Sequence, residues 1–267
     1  KVLVFAGTES HLYVSYDDGD HWLPLQLNLP AVPVTDITFQ KEWDDMVLAT
    51  QGRGFYVMDD MPLVRALNPA KFNRSTPVEM FPVKKTMRLD GGGFGFGRDP
   101  AAGQNPPSGA VIDYYLKDKP QGEVKLRFLT ADGKLVREIS SKPKKGQEAE
   151  PENPYRRRGG GLAPAKKGLN KHVWDLRYND ATGFPGLLMW DGSLRGPMAT
   201  PGEYKAELVV DGKTYSQNFT VVKDPRSPTT PEDFQKQLDL PLKIRDRVTE
   251  ANQSVVAIRA AKDQLKP

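Results

Sequence analysis

The stretch Ser15-Tyr16-Asp17-Asp18-Gly19-Asp20-His21-Trp22 decides the reading of the first quarter of the chain. It has the form S-x-D-x-G-x-x-W. Ser15 and Asp17 can trade hydrogen bonds with turn amides, and Gly19 can enter a conformation awkward for a side chain. Trp22 is expected to fold back onto the core and anchor the turn by apolar burial. Short alternating strands lie on both sides. They read as Val2–Ala6, His11–Ser15 and Trp22–Leu27, then Val34–Phe39, Met46–Thr50 and Gly54–Met58, separated by turns containing Gly, Asp or Pro.

Two segments repeat at an offset of about 43 residues, the length of one propeller blade. Val2-Leu3-Val4-Phe5-Ala6-Gly7-Thr8 leads to Leu12-Tyr13-Val14-Ser15, and Met46-Val47-Leu48-Ala49-Thr50 leads to Gly54-Phe55-Tyr56-Val57-Met58. The turn after the second has no matching Gly-x-x-Trp. With Leu27-Asn28-Leu29-Pro30 and Gly52-Arg53-Gly54-Phe55, the Ser15–Trp22 pattern resembles the Asp-box of sortilin-like and BNR-repeat β-propellers. That resemblance covers residues 1–66. It implies incomplete terminal blades, a structural role for Ser15, Asp17, Gly19 and Trp22, and extracytoplasmic placement. The missing blades are expected upstream in the same polypeptide or in a complementary chain, and the ligand would be a protein, a peptide or a glycan.

The rest of the 267 residues divides by composition. Residues 67–107 read as a Gly/Pro-rich connector, with short strands at Val78–Phe81 and Lys84–Leu89. Its Gly91–Gly97 run matches no phosphate-binding fingerprint. Residues 108–223 carry some seven strands, two Asp-Gly turns and Trp174 as the natural core residue, which suggests an immunoglobulin-like β-sandwich. Leu135-Val136-Arg137, Val173-Trp174-Asp175-Leu176 and Thr200-Pro201-Gly202-Glu203-Tyr204 resemble FlgD-like modules. Residues 224–267 form a helical tail, expected to be truncated, opening at Thr230-Pro231-Glu232-Asp233, with Pro241 expected to divide or kink it. Beyond Pro241, Ile244, Val248, Ala251, Val255, Ile258 and Leu265 follow a four-three spacing. That stripe is expected to pack on another helix or subunit. The fold class expected is therefore mainly β: partial propeller blades, a sandwich and a C-terminal helix.

Composition narrows the chemistry. The chain has no cysteine, so disulfides, iron–sulfur clusters and thiolate zinc sites are excluded. Three histidines without ligand spacing imply no metal, and no cofactor is expected. No apolar run approaches the roughly 20 residues of a membrane-spanning helix. Residues 1–66 hold four Lys/Arg against ten Asp/Glu, whereas 141–172 hold nine against three. The basic excursion, Lys142, Lys144, Lys145, Arg156, Arg157, Arg158, Lys166 and Lys167, is a candidate contact patch. Its lack of interleaved aromatics argues against nucleic acid.

Asp36, Arg53, Tyr56, Asp59 and Asp60 are candidates to line a pocket or interface. No carboxylate pair of the glycosidase kind can be assigned among them. The function expected is noncatalytic binding or assembly within a larger extracytoplasmic protein. The alternatives are the accessory end of a glycan hydrolase or lyase, and a structural subunit of a multiprotein assembly.

Overall fold

The computed structural model describes residues 2–89, 105–143, 161–189 and 192–265. The chain is mainly β and forms two compact units, Lys1–Pro77 and Val78–Pro267.

The first unit holds two antiparallel meanders. Strands β1 (Val4–Gly7), β2 (Leu12–Ser15) and β3 (Leu23–Pro24) form one; β4 (Val34–Gln40), β5 (Asp45–Thr50) and β6 (Gly54–Met58) form the other. They meet where Val34 donates its N–H to Thr8 O at 3.0 Å. Leu12, Leu29, Val32, Met46, Leu48 and Met61 build the core between them. Strand β3 is far shorter than the Trp22–Leu27 expected. Pro24 has no N–H to donate, Leu27 sits at φ +42°, and the Gln26 side chain takes over the pairing. Its Oε1 accepts from Leu12 N at 3.2 Å, and its Nε2 donates to Leu29 O at 2.8 Å. A short helix that the sequence reading missed, α1 (Met61–Ala66), buries Met61 and Val64. Tyr16 fastens it by donating its hydroxyl to Val64 O at 2.8 Å.

In the second unit, two sheets share one core. One sheet has the order β11-β10-β13-β14-β8 and the other β12-β9-β7. The strands are β7 (Val78–Met80), β8 (Thr86–Arg88), β9 (Ala110–Leu116), β10 (Lys125–Thr130), β11 (Leu135–Ser140), β12 (Gly168–Trp174), β13 (Gly202–Val210) and β14 (Lys213–Lys223). Alternation decides which side chains meet. Ile112, Tyr114 and Leu116 face Leu126, Phe128, Tyr204, Ala206 and Leu208 across the core. Trp174 lies at the centre, fully buried. It stacks on Phe128 at 4.4 Å and meets Tyr204 and Phe219 edge-on at 5.7 and 6.2 Å.

Two strands from the expected connector belong to this unit: β7 pairs with β9, and β8 runs parallel to β14. The Asp211-Gly212 turn joins β13 and β14 with both residues at positive φ, as a two-residue hairpin requires. Strand β12 ends at Trp174, and the chain turns away at Leu176, which sits at φ +56°.

Helix α2 (Pro231–Gln264) follows. Thr230 caps it, its Oγ1 accepting from Asp233 N at 3.2 Å, and Glu232 and Asp233 suit the positive end of the helix dipole. Pro241 lies inside the helix without dividing it; one amide hydrogen bond is forgone and the helix continues. Among the described residues, no helix is long and apolar enough to cross a membrane.

Candidate functional site

Helix α2 is about 50 Å long at 1.5 Å per residue, and it presents two unlike faces. The inner face holds the helix to its own unit. Phe234 and Leu238 are buried, with the Arg88 guanidinium 4.5 Å from the Phe234 ring. Further along, the contacts become polar. Thr249 Oγ1 accepts from Thr182 N at 3.2 Å, and Asn252 Nδ2 donates to Thr182 O at 2.8 Å. Arg245 reaches Asn179 O at 3.4 Å, and Arg259 reaches Pro185 O at 2.9 Å while lying 4.6 Å from the Phe184 ring.

The apolar stripe is turned elsewhere. Ile244 is 54% exposed, Ile258 66% and Leu265 85%; Ala251 is exposed, and Val248 and Val255 are half-buried. Leu240, one turn before Ile244, is exposed as well. Lys243, Ile244, Arg247, Val248 and Ala251 line a shallow groove along it. Beyond Leu238 the helix holds its own unit through hydrogen bonds and cation–ring contacts, and it leaves Leu240, Ile244, Ala251, Ile258 and Leu265 in water.

In the first unit, the Ser15–Trp22 turn is a closed hydrogen-bond system. Buried Ser15 donates its hydroxyl to Asp17 Oδ1 at 2.9 Å and accepts from Gly19 N at 2.9 Å. Asp17 Oδ1 also accepts from His21 N at 2.9 Å, and its Oδ2 lies 2.6 Å from His21 Nδ1. The His21 side-chain and backbone hydrogen bonds hold the Asp17 carboxyl down to about 2. Gly19 takes φ +98° and Asp18 φ +71°. Trp22 departs from expectation. It is 41% exposed and lies outside the core; its ring covers Gly19, where an added Cβ would sit 3.8 Å from Cζ2. Its indole packs on the turn itself, so the hydrogen bonds and not the core hold the hairpin.

The five residues expected to line a pocket do not converge. Asp36 is exposed at a bulge in β4, its Oδ1 accepting from Ile37 N at 2.8 Å. Tyr56 is half-buried on β6, two strands away from β4. Arg53 is exposed before β6, and Asp59 and Asp60 follow the other end of that strand. The strand rise puts about 20 Å between Arg53 and Asp59. Asp60 stands at the N-terminus of α1, where its backbone oxygen accepts from Val64 N at 3.1 Å.

Of the basic patch, Lys142, Lys166 and Lys167 are exposed, and Lys167 pairs with Asp118 at 3.3 Å. Lys144, Lys145, Arg156, Arg157 and Arg158 lie outside the described residues, as does the Gly91–Gly97 run. Among the described residues, no group of three or more His, Asp or Glu is placed to hold a metal ion.

Sequence reasoning missed a polar cluster in the second unit. Arg137, its side chain 9% exposed, donates from Nη1 to Tyr178 O at 2.8 Å and to Asp180 Oδ1 at 3.1 Å. Asp180 Oδ1 also accepts from Gly196 N at 2.9 Å, Arg177 donates to Gly196 O at 2.9 Å, and Arg195 meets Asp175 at 3.1 Å. His172 is buried on β12, and its Nε2 has no hydrogen-bond partner among the described residues. Burial, then the Arg137 charge, pulls its imidazole down to about 4, with Asp175 opposing. These guanidiniums are occupied in holding loop backbone, so the cluster fixes the chain after Trp174. The run Trp174-Asp175-Leu176-Arg177-Tyr178-Asn179-Asp180, dense in charge directly after a core tryptophan, was the available signal. Comparison with protein-family models, curated proteins and solved structures finds no match for this chain.

Proposed function

We propose that this chain is a noncatalytic binding and assembly portion of a larger extracytoplasmic protein, and that α2 is the element that docks a partner protein. The observation that carries this is the largely uncovered aliphatic seam from Ile244 to Leu265, about 32 Å long, on a helix already secured by the neighbouring face. Covering Ile244, Ile258 and Leu265 alone releases on the order of 5 kcal/mol of gross hydrophobic free energy, before association entropy is subtracted.

The remaining architecture is read in the same frame. The bonding of Ser15, Asp17 and Gly19 supports an Asp-box, and the two three-stranded meanders support incomplete blades of a sortilin-like propeller. Two sheets over one tryptophan-centred core support an immunoglobulin-like sandwich of the FlgD-like kind. In this reading both units are scaffolds.

Because the chain lacks cysteine, single-cysteine variants give clean crosslinking. Crosslinker placed at Ala251→Cys in the producing cell should trap one partner chain, and Ile258→Asp should abolish the product. Crosslinks that fall only within the second unit itself, or that are equally strong from Ala260→Cys on the far side, would count against docking.

A further inference from the structure

Helix α2 is held in two different ways on either side of Pro241. Before it, Phe234 and Leu238 are buried, and the Arg88 guanidinium of β8 lies 4.5 Å from the Phe234 ring. Beyond it, among the described residues, the next buried side chain is that of Asn252, about 21 Å further along the helix. Val248 and Val255 are half-buried, and every described residue from 256 to 265 is exposed.

What holds this outer part is mainly polar and converges on one short segment, residues 179–185. The backbone oxygens of Asn179, Thr182 and Pro185 accept from Arg245, Asn252 and Arg259, and the Thr182 amide donates to Thr249 Oγ1. The contact between Arg259 and the Phe184 ring falls in the same segment. Water replaces such hydrogen bonds at small net cost, whereas it offers nothing in place of the burial of Phe234 and Leu238. Contacts concentrated on so short a segment break together when the helix lifts. Between the two parts, Pro241 has no N–H for the Gln237 carbonyl, so the helix lacks a hydrogen bond where an arm would bend.

We propose that α2 is a hinged arm. The part beyond Pro241 lifts from residues 179–185 as one latch, while Phe234 and Leu238 keep the root on its unit. Opening is a local event that leaves the two sheets of the unit intact. It frees the Thr182 amide and the Asn179, Thr182 and Pro185 carbonyls together. The inference is independent of the docking reading, because it concerns the isolated chain.

Amide hydrogen exchange of the full chain, followed by NMR, tests it at the Thr182 amide, which only an open latch exposes. That amide should exchange at least about a hundredfold faster than the amides of β10 and β13. Arg259→Ala touches neither Thr182 nor Thr249, yet it should speed Thr182 exchange about fivefold, and Asn252→Ala about tenfold. Pro241→Ala, which restores the missing donor, should slow it by at least about threefold. β10 and β13 should be unchanged in all three. Because the chain has no cysteine, spin labels can be placed in pairs by substitution alone. Ala260→Cys with Thr214→Cys should give two distance populations, and Lys236→Cys with Thr214→Cys a single one. Thr182 exchanging as slowly as β10, or unmoved by Arg259→Ala, would overturn the proposal. So would variants that speed β10 and Thr182 equally, or a Lys236 pair that splits as the Ala260 pair does, since the whole unit or the whole helix would then be moving.

Discussion

The two units bury their strands to very different depths. In the second unit, alternate residues of β9, β10 and β13 point at a facing sheet, and Trp174, Tyr114 and Phe128 are wholly buried. In the first, β6 alternates just as cleanly, but only one side of it is covered. Tyr56 and Met58 pack on the core, whereas Phe55 and Val57 are 78% and 57% exposed. Period-two patterning is the same in both. What differs is whether a second layer exists to receive the other face. A strand pattern by itself fixes which residues share a face, and the neighbouring layer decides what that face is worth.

Trp174→Ala is the strongest way to test this contrast. It should cost the second unit about 3–5 kcal/mol, read as lost hydrogen-exchange protection in β10 and β13. Phe55→Ala on β6 should cost the first unit under about 0.5 kcal/mol. Equal losses would erase the distinction drawn between the cores.

Acid should separate the units next. His172 is held down to about 4 when folded, so the unfolded chain binds the extra proton between its ordinary 6.5 and that value. Stability from this group is complete above pH 6.5 and lost as pH falls towards 4, by on the order of 3 kcal/mol. His172→Gln should flatten that slope in denaturant midpoints taken across this range. Asp17 behaves otherwise. Its carboxyl is held at about 2 against an ordinary 3.8, so its contribution persists above pH 4 and disappears as pH falls through 2. A second unit indifferent to pH between 6.5 and 4 would contradict the buried, neutral imidazole.

Smaller effects test the turn and the helix. Ser15→Ala removes the oxygen shared by Asp17 and Gly19, and should lower the first unit's stability by about 1–2 kcal/mol. Ile258→Ser should change the second unit's stability by less than about 0.5 kcal/mol, since no layer covers that residue. A large loss at Ile258 would mean that the seam is internal packing.

Much of the fold was legible because its signals are local. Alternation located the strands of both units, the Asp-Gly pairs located turns, and Thr230-Pro231 located the start of α2. What escaped depends on distant partners. β7 and β8 were expected as short strands, but their place in the second unit's sheets comes only from pairing with β9 and β14. α1 is six residues long and has no side-chain cap to announce it. Trp22 was expected in the core on the strength of its size, yet the shortness of β3 leaves it over the turn. The site divided in the same way. Helical periodicity picked out the seam without the structure, but could not say that the neighbouring face, bound through Thr249, Asn252 and Arg259, would hold the helix. The Arg137–Asp180 and Arg195–Asp175 pairs join residues 43 and 20 positions apart, so the charged run after Trp174 marked the place without naming the partners.

The central claim is that α2 docks a partner through this seam. Maleimide labelling of Ala251→Cys and Ala260→Cys, in the purified chain and in the assembly as it exists in the producing cell, tests it most directly. Both sites should label in the purified chain. In the cell, position 251 should be protected while position 260 still reacts. Equal labelling of the two positions in the cell would contradict the account.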